Sequence, residues 1–234
     1  MVPQIQRTTY EQPIMIRPET LNFLKELSEN NDRNWFAAHK DRYETAKADV
    51  LEFITALIPI LESVDPAFPK GNPAKKHLLR IYRDIRFSKD KRPYKNNFGI
   101  YFSLIGRNGN EPGYYINLAP GNCFFAAGYW MPGAEDLKKI REEIDYNQDE
   151  FSAIINDEAF TSIFKLDKTD TLKKAPKGYP IDHPLIEVLK LKSLTAIYPI
   201  ADKAFFKADI TEKIHDAFRQ IYPFMLFLRT AVAS

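Results

Sequence analysis

The sequence predicts an α+β fold, an antiparallel β-meander of four to five strands flanked by N-terminal, central and C-terminal helices. Three observations predict it. Apolar residues recur at three- and four-residue steps in residues 21–57, 137–155 and 210–221, as on one face of a helix. Between the first two of these, apolar and polar residues alternate instead, the period of a half-buried strand. The connections inside that alternating block are short, and short connections join antiparallel neighbours. Helices around a contiguous block of strands define the class.

Each element follows in order. Residues 1–16 keep neither period and read as an irregular arm before one α+β domain over 17–234. Arg17-Pro18-Glu19 opens a helix, with proline and an acid in the first turn, and Leu21, Leu24 and Leu27 form its stripe. Asn30-Asn31-Asp32 ends it and caps a second helix, whose face carries Phe36, His39, Tyr43, Ala46, Val50, Phe53 and Leu57. Pro59 lacks a backbone donor and should kink or restart that helix near Leu57. Three prolines and a glycine make 65–73 a loop.

In residues 79–87, Leu79, Ile81, Ile85 and Phe87 alternate with Arg80, Tyr82, Asp84 and Arg86, which predicts the first strand. Residues 98–104, 113–118 and 123–130 supply three more, the last two joined by Ala119-Pro120-Gly121-Asn122, the sequence of a type II turn. Residues 132–157 return to helix and 166–179 form a polar loop. A short helix runs from His183 to Lys190, and 193–200 is a candidate fifth strand. Asp209-x-x-Glu212 then resembles a capping box before the last helix.

Composition excludes several classes. The chain has 234 residues, 44% hydrophobic and 27% charged, an ordinary soluble balance. No run approaches the roughly 18 apolar residues of a membrane span, and the first residues hold no apolar signal core. One cysteine, Cys123, excludes an internal disulfide framework, and its place beside Phe124-Phe125 reads as buried. A cytoplasmic protein without a membrane partner is expected. No phosphate-binding glycine loop, nucleophile elbow or His-Glu-x-x-His metal motif occurs, and the four histidines lack metal spacing, so no cofactor and no metal is expected.

Charge is informative only locally. The chain as a whole carries +2, yet residues 75–95 hold nine cations against Asp84 and Asp90, a net of +7. Such segregation attracts anions. On the alternation, Arg80, Tyr82, Asp84 and Arg86 share one face, either as a ladder of ion pairs or as an anion clamp with Asp84 orienting the arginines. Arg83 would face the apolar side and require a carboxylate from the first two helices. Residues 88–95 add Lys89, Asp90, Lys91, Arg92, Tyr94 and Lys95. Tyr94 and Phe87 could stack on bases while the cations take phosphates. The alternative is a basic hairpin tip pairing with the acidic helix of residues 135–150.

Three segments together carry a family resemblance. They are Phe23-Leu24-x-x-Leu27 with Asn30-Asn31-Asp32-Arg33-x-Trp35-Phe36; Arg80-Ile81-Tyr82-Arg83-Asp84-x-Arg86-Phe87-Ser88-x-Asp90-Lys91-x-Pro93-Tyr94-Lys95; and Lys177-Gly178-Tyr179 with Asp182-His183-Pro184. They resemble the bacterial and fungal domain-of-unknown-function family twenty-four sixty-one, from about Leu21 to Leu228. The resemblance implies a single α+β domain and no established activity. The residues themselves point to an anion-binding site for a phosphate-bearing ligand, either nucleic acid or a phosphorylated small molecule. An enzyme acting on a phosphorylated or carboxylated substrate at the same site, and an interaction domain for an acidic protein partner, are the alternatives.

Overall fold

The computed structural model describes residues 13–106 and 109–233. The expected arm falls mostly outside them, in residues 1–12. Residues 13–17 are irregular, but Ile16 is fully buried and its N–H donates to the Phe205 carbonyl at 2.9 Å. The elements in order are α1 (Pro18–Glu29), α2 (Arg33–Ala38), α3 (Lys40–Val64), β1 (Phe98–Phe102), β2 (Gly113–Leu118), β3 (Phe124–Tyr129), α4 (Ala134–Tyr146), α5 (Gln148–Asn156), α6 (Glu158–Ile163), β4 (Lys165–Leu166), α7 (Ile186–Leu189), β5 (Leu194–Pro199) and α8 (Ile210–Ala233). The class is α+β, as the alternation of periods predicts.

Local chemistry accounts for the helix starts. Pro18 occupies the first turn of α1, and buried Asp49 of α3 accepts from the Arg17 N–H at 2.9 Å and the Thr20 hydroxyl at 2.5 Å. Asp32 caps α2 by accepting from the Asn34 and Trp35 N–H groups. The single long helix expected from Asp32 is divided at His39, whose ring stacks on Trp35 at 4.1 Å and is only part-buried. Pro59 does not restart α3, which runs through it to Val64. Asp209 stands just before α8 and its carboxylate pairs with Lys213 at 2.9 Å.

The sheet has the order β1-β2-β3-β5-β4, antiparallel throughout. β2 and β3 are joined by the expected type II turn: Gly121 has φ 72° and the Asn122 N–H donates to the Ala119 carbonyl at 2.9 Å. Residues 194–199 form the expected additional strand, and the two-residue β4 ends on Leu166, the first residue of the expected polar loop. Phe102, Tyr114 and Phe125 of successive strands pack edge-on against Phe218 of α8, so the core lies between one sheet face and the helices. At the end of α3, buried Asp65 accepts from the Tyr114 hydroxyl at 2.9 Å and the Arg229 guanidinium at 2.6 Å, tying α3, β2 and α8 together. No helix among the described residues is long and apolar enough to cross a membrane.

The expected strand at 79–87 is not formed. Residues 77–79 run beside β1, with Leu79 N–H donating to Gly99 O at 2.9 Å and Tyr101 N–H to His77 O at 2.8 Å. Gly99 permits that approach, since a Cβ there would lie 3.1 Å from Leu79 Cδ1 and 2.8 Å from the Tyr115 hydroxyl. Beyond it the chain forms a narrow loop closed by one bridge, Tyr82 to Tyr94. Residues 81, 83 and 85 do turn inward and Arg80, Tyr82, Asp84 and Arg86 outward, but Phe87 breaks the pattern at 95% exposed.

Candidate functional site

The loop neutralises much of its own charge. Asp84 Oδ1 accepts from the Arg86 N–H at 3.2 Å and Nε at 3.0 Å, while Oδ2 takes the guanidinium NH2 at 2.6 Å. Asp90 repeats the arrangement with Arg92 at 3.0, 3.0 and 2.6 Å. Each Asp-x-Arg tripeptide therefore closes on itself. Hydrogen bonds from Arg86 hold the Asp84 carboxyl down at about 2, and those from Arg92, with Arg83 adding to them, hold Asp90 lower still than the usual range. Arg83 finds its carboxylate here too: its guanidinium is 2.8 Å from Asp90 and donates to the Arg92 carbonyl at 3.1 Å. This corrects the expectation of a partner on the first two helices. The arginine needs one charge, and the loop supplies it within a few residues.

The other expected site residues divide sharply. Tyr94 is buried and stacks on Phe36 at 4.0 Å with planes 13° apart, so it cannot stack on a base. Asn31 fixes it further, its side-chain amide donating to the Tyr94 carbonyl at 3.0 Å and accepting the Tyr94 N–H at 3.1 Å. Lys95 is part-buried; burial lowers its ammonium pKa and the field of Arg80 lowers it further. Lys91 donates to the Ile85 carbonyl at 3.0 Å, and Lys89 is exposed. Phe87 stands in water with the Arg86 guanidinium 5.9 Å from its ring. Tyr82 is 52% exposed beside Phe36 and Tyr94. Arg80 does not pair with Asp84 but acts on it only through its field.

Arg80 instead lines a cleft of about 630 Å³ between α3 and residues 75–80. Tyr43, Lys47 and Leu51, on successive turns of α3, form one wall; Lys75, Lys76, Leu78, Leu79 and Arg80 form the other, with Ile105 and Gly106 at the rim. Among the described residues its lining has four cations and no carboxylate. Lys47 also pairs with Glu44 at 3.0 Å, outside the lining. Burial pushes the Tyr43 hydroxyl up to about 12, so it stays a protonated donor at neutral pH. A smaller concavity of about 250 Å³ lies beside Arg83, Arg92, Lys95 and Asn31, but Asp90 stands in it. Tyr43, Lys47 and Leu51 were legible as cleft residues only from their four-residue spacing, which also fits a plain amphipathic face.

Two further reactive residues, Cys123 and His183, are engaged structurally. Cys123 is buried with its thiol on the Ala119 carbonyl at 3.2 Å, and burial raises its pKa to about 12. His183 bridges Asp145 at 2.9 Å and the Leu185 N–H at 3.0 Å. The sequence model of a family described as a conserved hypothetical protein (DUF2461) matches residues 19–227. No curated protein and no solved structure matches the chain.

Proposed function

The chain belongs to this conserved hypothetical protein family, and we propose that it is a phosphate-binding domain whose ligand, a phosphorylated small molecule, sits in the cleft between α3 and residues 75–80. One observation carries the reading: four cationic residues line a concave site whose lining holds no carboxylate among the described residues. Arginine offers a planar fork and lysine a mobile point charge, the two ways proteins hold phosphate oxygens. The volume falls within the range of small-molecule sites, roughly 300–1,000 Å³. A reducing, cytoplasmic setting suits a chain whose single cysteine is a buried thiol.

Titration calorimetry with inorganic pyrophosphate at low salt tests this. Binding should weaken at least about tenfold in Lys75→Ala/Lys76→Ala/Arg80→Ala, since each lost charge-assisted contact removes on the order of 1 kcal/mol or more. Unchanged affinity in that variant would sink the proposal. A second reading rests on Phe87, whose exposure beside Arg86 suits stacking on single-stranded nucleic acid. Oligonucleotide binding that is lost in Phe87→Ala/Lys89→Ala, with pyrophosphate binding intact, would favour it.

A further inference from the structure

The apolar half of the cleft bears on what the phosphate is attached to. Leu51, Leu78, Leu79 and the Tyr43 ring line it, and Ile105 stands at the rim 73% exposed, an isoleucine left in water at the mouth of a basic site. Among the described residues the lining contains no asparagine, glutamine, aspartate or glutamate side chain. Apart from the Tyr43 hydroxyl its polar side chains are donors only, so they offer little to the amino groups of a base and nothing to hold an ammonium group. A body without polar groups would lose no hydrogen bonds on entering, whereas the amino groups of a base and the hydroxyls of a sugar would bring donors into a lining already made of donors. The cations set the other end: Arg80 and the lysines spread along both walls suit a diphosphate, which presents several oxygens and two or more charges over a longer span than a single carboxylate.

We infer that the cleft takes an organic diphosphate with a hydrocarbon body, aliphatic or aromatic, the phosphates on Lys47, Lys75, Lys76 and Arg80 and the hydrocarbon on Leu51, Leu79 and Ile105. This rests on the phosphate-binding reading above and narrows it to a ligand class. The cations supply affinity for any polyphosphate, and the apolar wall supplies the selection between bodies.

Calorimetry on the full-length protein with n-hexyl diphosphate, inorganic pyrophosphate and adenosine diphosphate separates the two levels. Hexyl diphosphate should bind at least about tenfold tighter than pyrophosphate, because several buried methylenes each add a favourable increment. Leu51→Gln should remove most of that advantage and leave pyrophosphate affinity in place. Ile105→Ser, at an exposed position where folding is not at stake, should remove part of it. Equal affinity for hexyl diphosphate and pyrophosphate, or tighter binding of adenosine diphosphate than of hexyl diphosphate, overturns the inference and leaves the phosphate site standing. Binding of none of the three overturns both.

Discussion

The loop of residues 83–92 and the cleft wall of residues 75–80 are both basic, but only the loop carries aspartates among its arginines. In the loop, Asp84 and Asp90 each sit two residues before an arginine and fold back on it, and Asp90 also takes Arg83. In the wall, Lys75, Lys76 and Arg80 have no acid between them in the sequence and face a helix that adds Lys47. A window count of +7 treats the two as one. Their difference shows that the spacing between opposite charges, more than their number, decides which arginines close on a neighbour along the chain.

The comparison is broken most severely by removing the support of the loop. Phe36 is buried against Tyr94, Tyr43 and Phe23, so Phe36→Ala should cost about 3–5 kcal/mol in urea unfolding. A loss under about 1 kcal/mol would mean the loop base is not anchored there. Smaller, and directed at the wall, is the effect of pH on His77. This histidine is 1% exposed between Phe68 and Phe102, its Nδ1 is 3.2 Å from the Tyr101 carbonyl and its Nε2 has no hydrogen-bond partner. Burial lowers its pKa below the ordinary 6.5. As pH falls below 6.5 the unfolded chain therefore takes up a proton that the folded chain does not, and stability is lost, by at most about 1.4 kcal/mol per pH unit. Paired melts between pH 7.5 and 5.5 should show this loss in the wild type and less of it in His77→Gln.

The smallest effect sharpens the contrast. Asp90→Asn releases two arginines and Asp84→Asn one, so on a heparin column both variants should elute at higher salt than wild type, Asp90→Asn the later. Coincident elution of all three proteins would mean that these pairs do not restrain the loop's charge. The Asp84–Arg86 pair contributes above the carboxylate's ordinary 3.8 and its contribution is lost as pH falls through about 2, so the neutralisation holds throughout the physiological range.

Much of the frame was legible. Periodicity located α1, β1 to β3, β5 and α8, and Pro120-Gly121 specified its turn, because these features depend on neighbours a few residues apart. The strand at 79–87 was misread because alternation records which side chains turn inward and not which backbone groups are paired. Opposite it stands Pro93, which has no N–H to give, and the Arg86 and Arg92 N–H groups are taken by aspartate side chains. Tyr94 was read as a ligand contact because its partner, Phe36, lies far away along the chain. Alternation marks Arg80 as a site residue, but the cations it joins come from α3 and from 75–76, and only the packing of α3 against that wall assembles them.

The amide of Asn31 holds Tyr94 by both its backbone groups, as a neighbouring strand would, from the junction of α1 and α2. It follows that chain continuity through the exposed tip adds little to the cohesion of the two parts it connects. Trypsin acting after Arg86 or Lys89 would separate a helical fragment carrying α1 to α3 from one carrying the whole sheet and α8. The Asn31 clamp, the Phe36–Tyr94 stack and the Asp65–Arg229 pair all cross that cut. The nicked protein would then migrate as one species until denatured, and its two pieces would be natural halves for reassembly in trans.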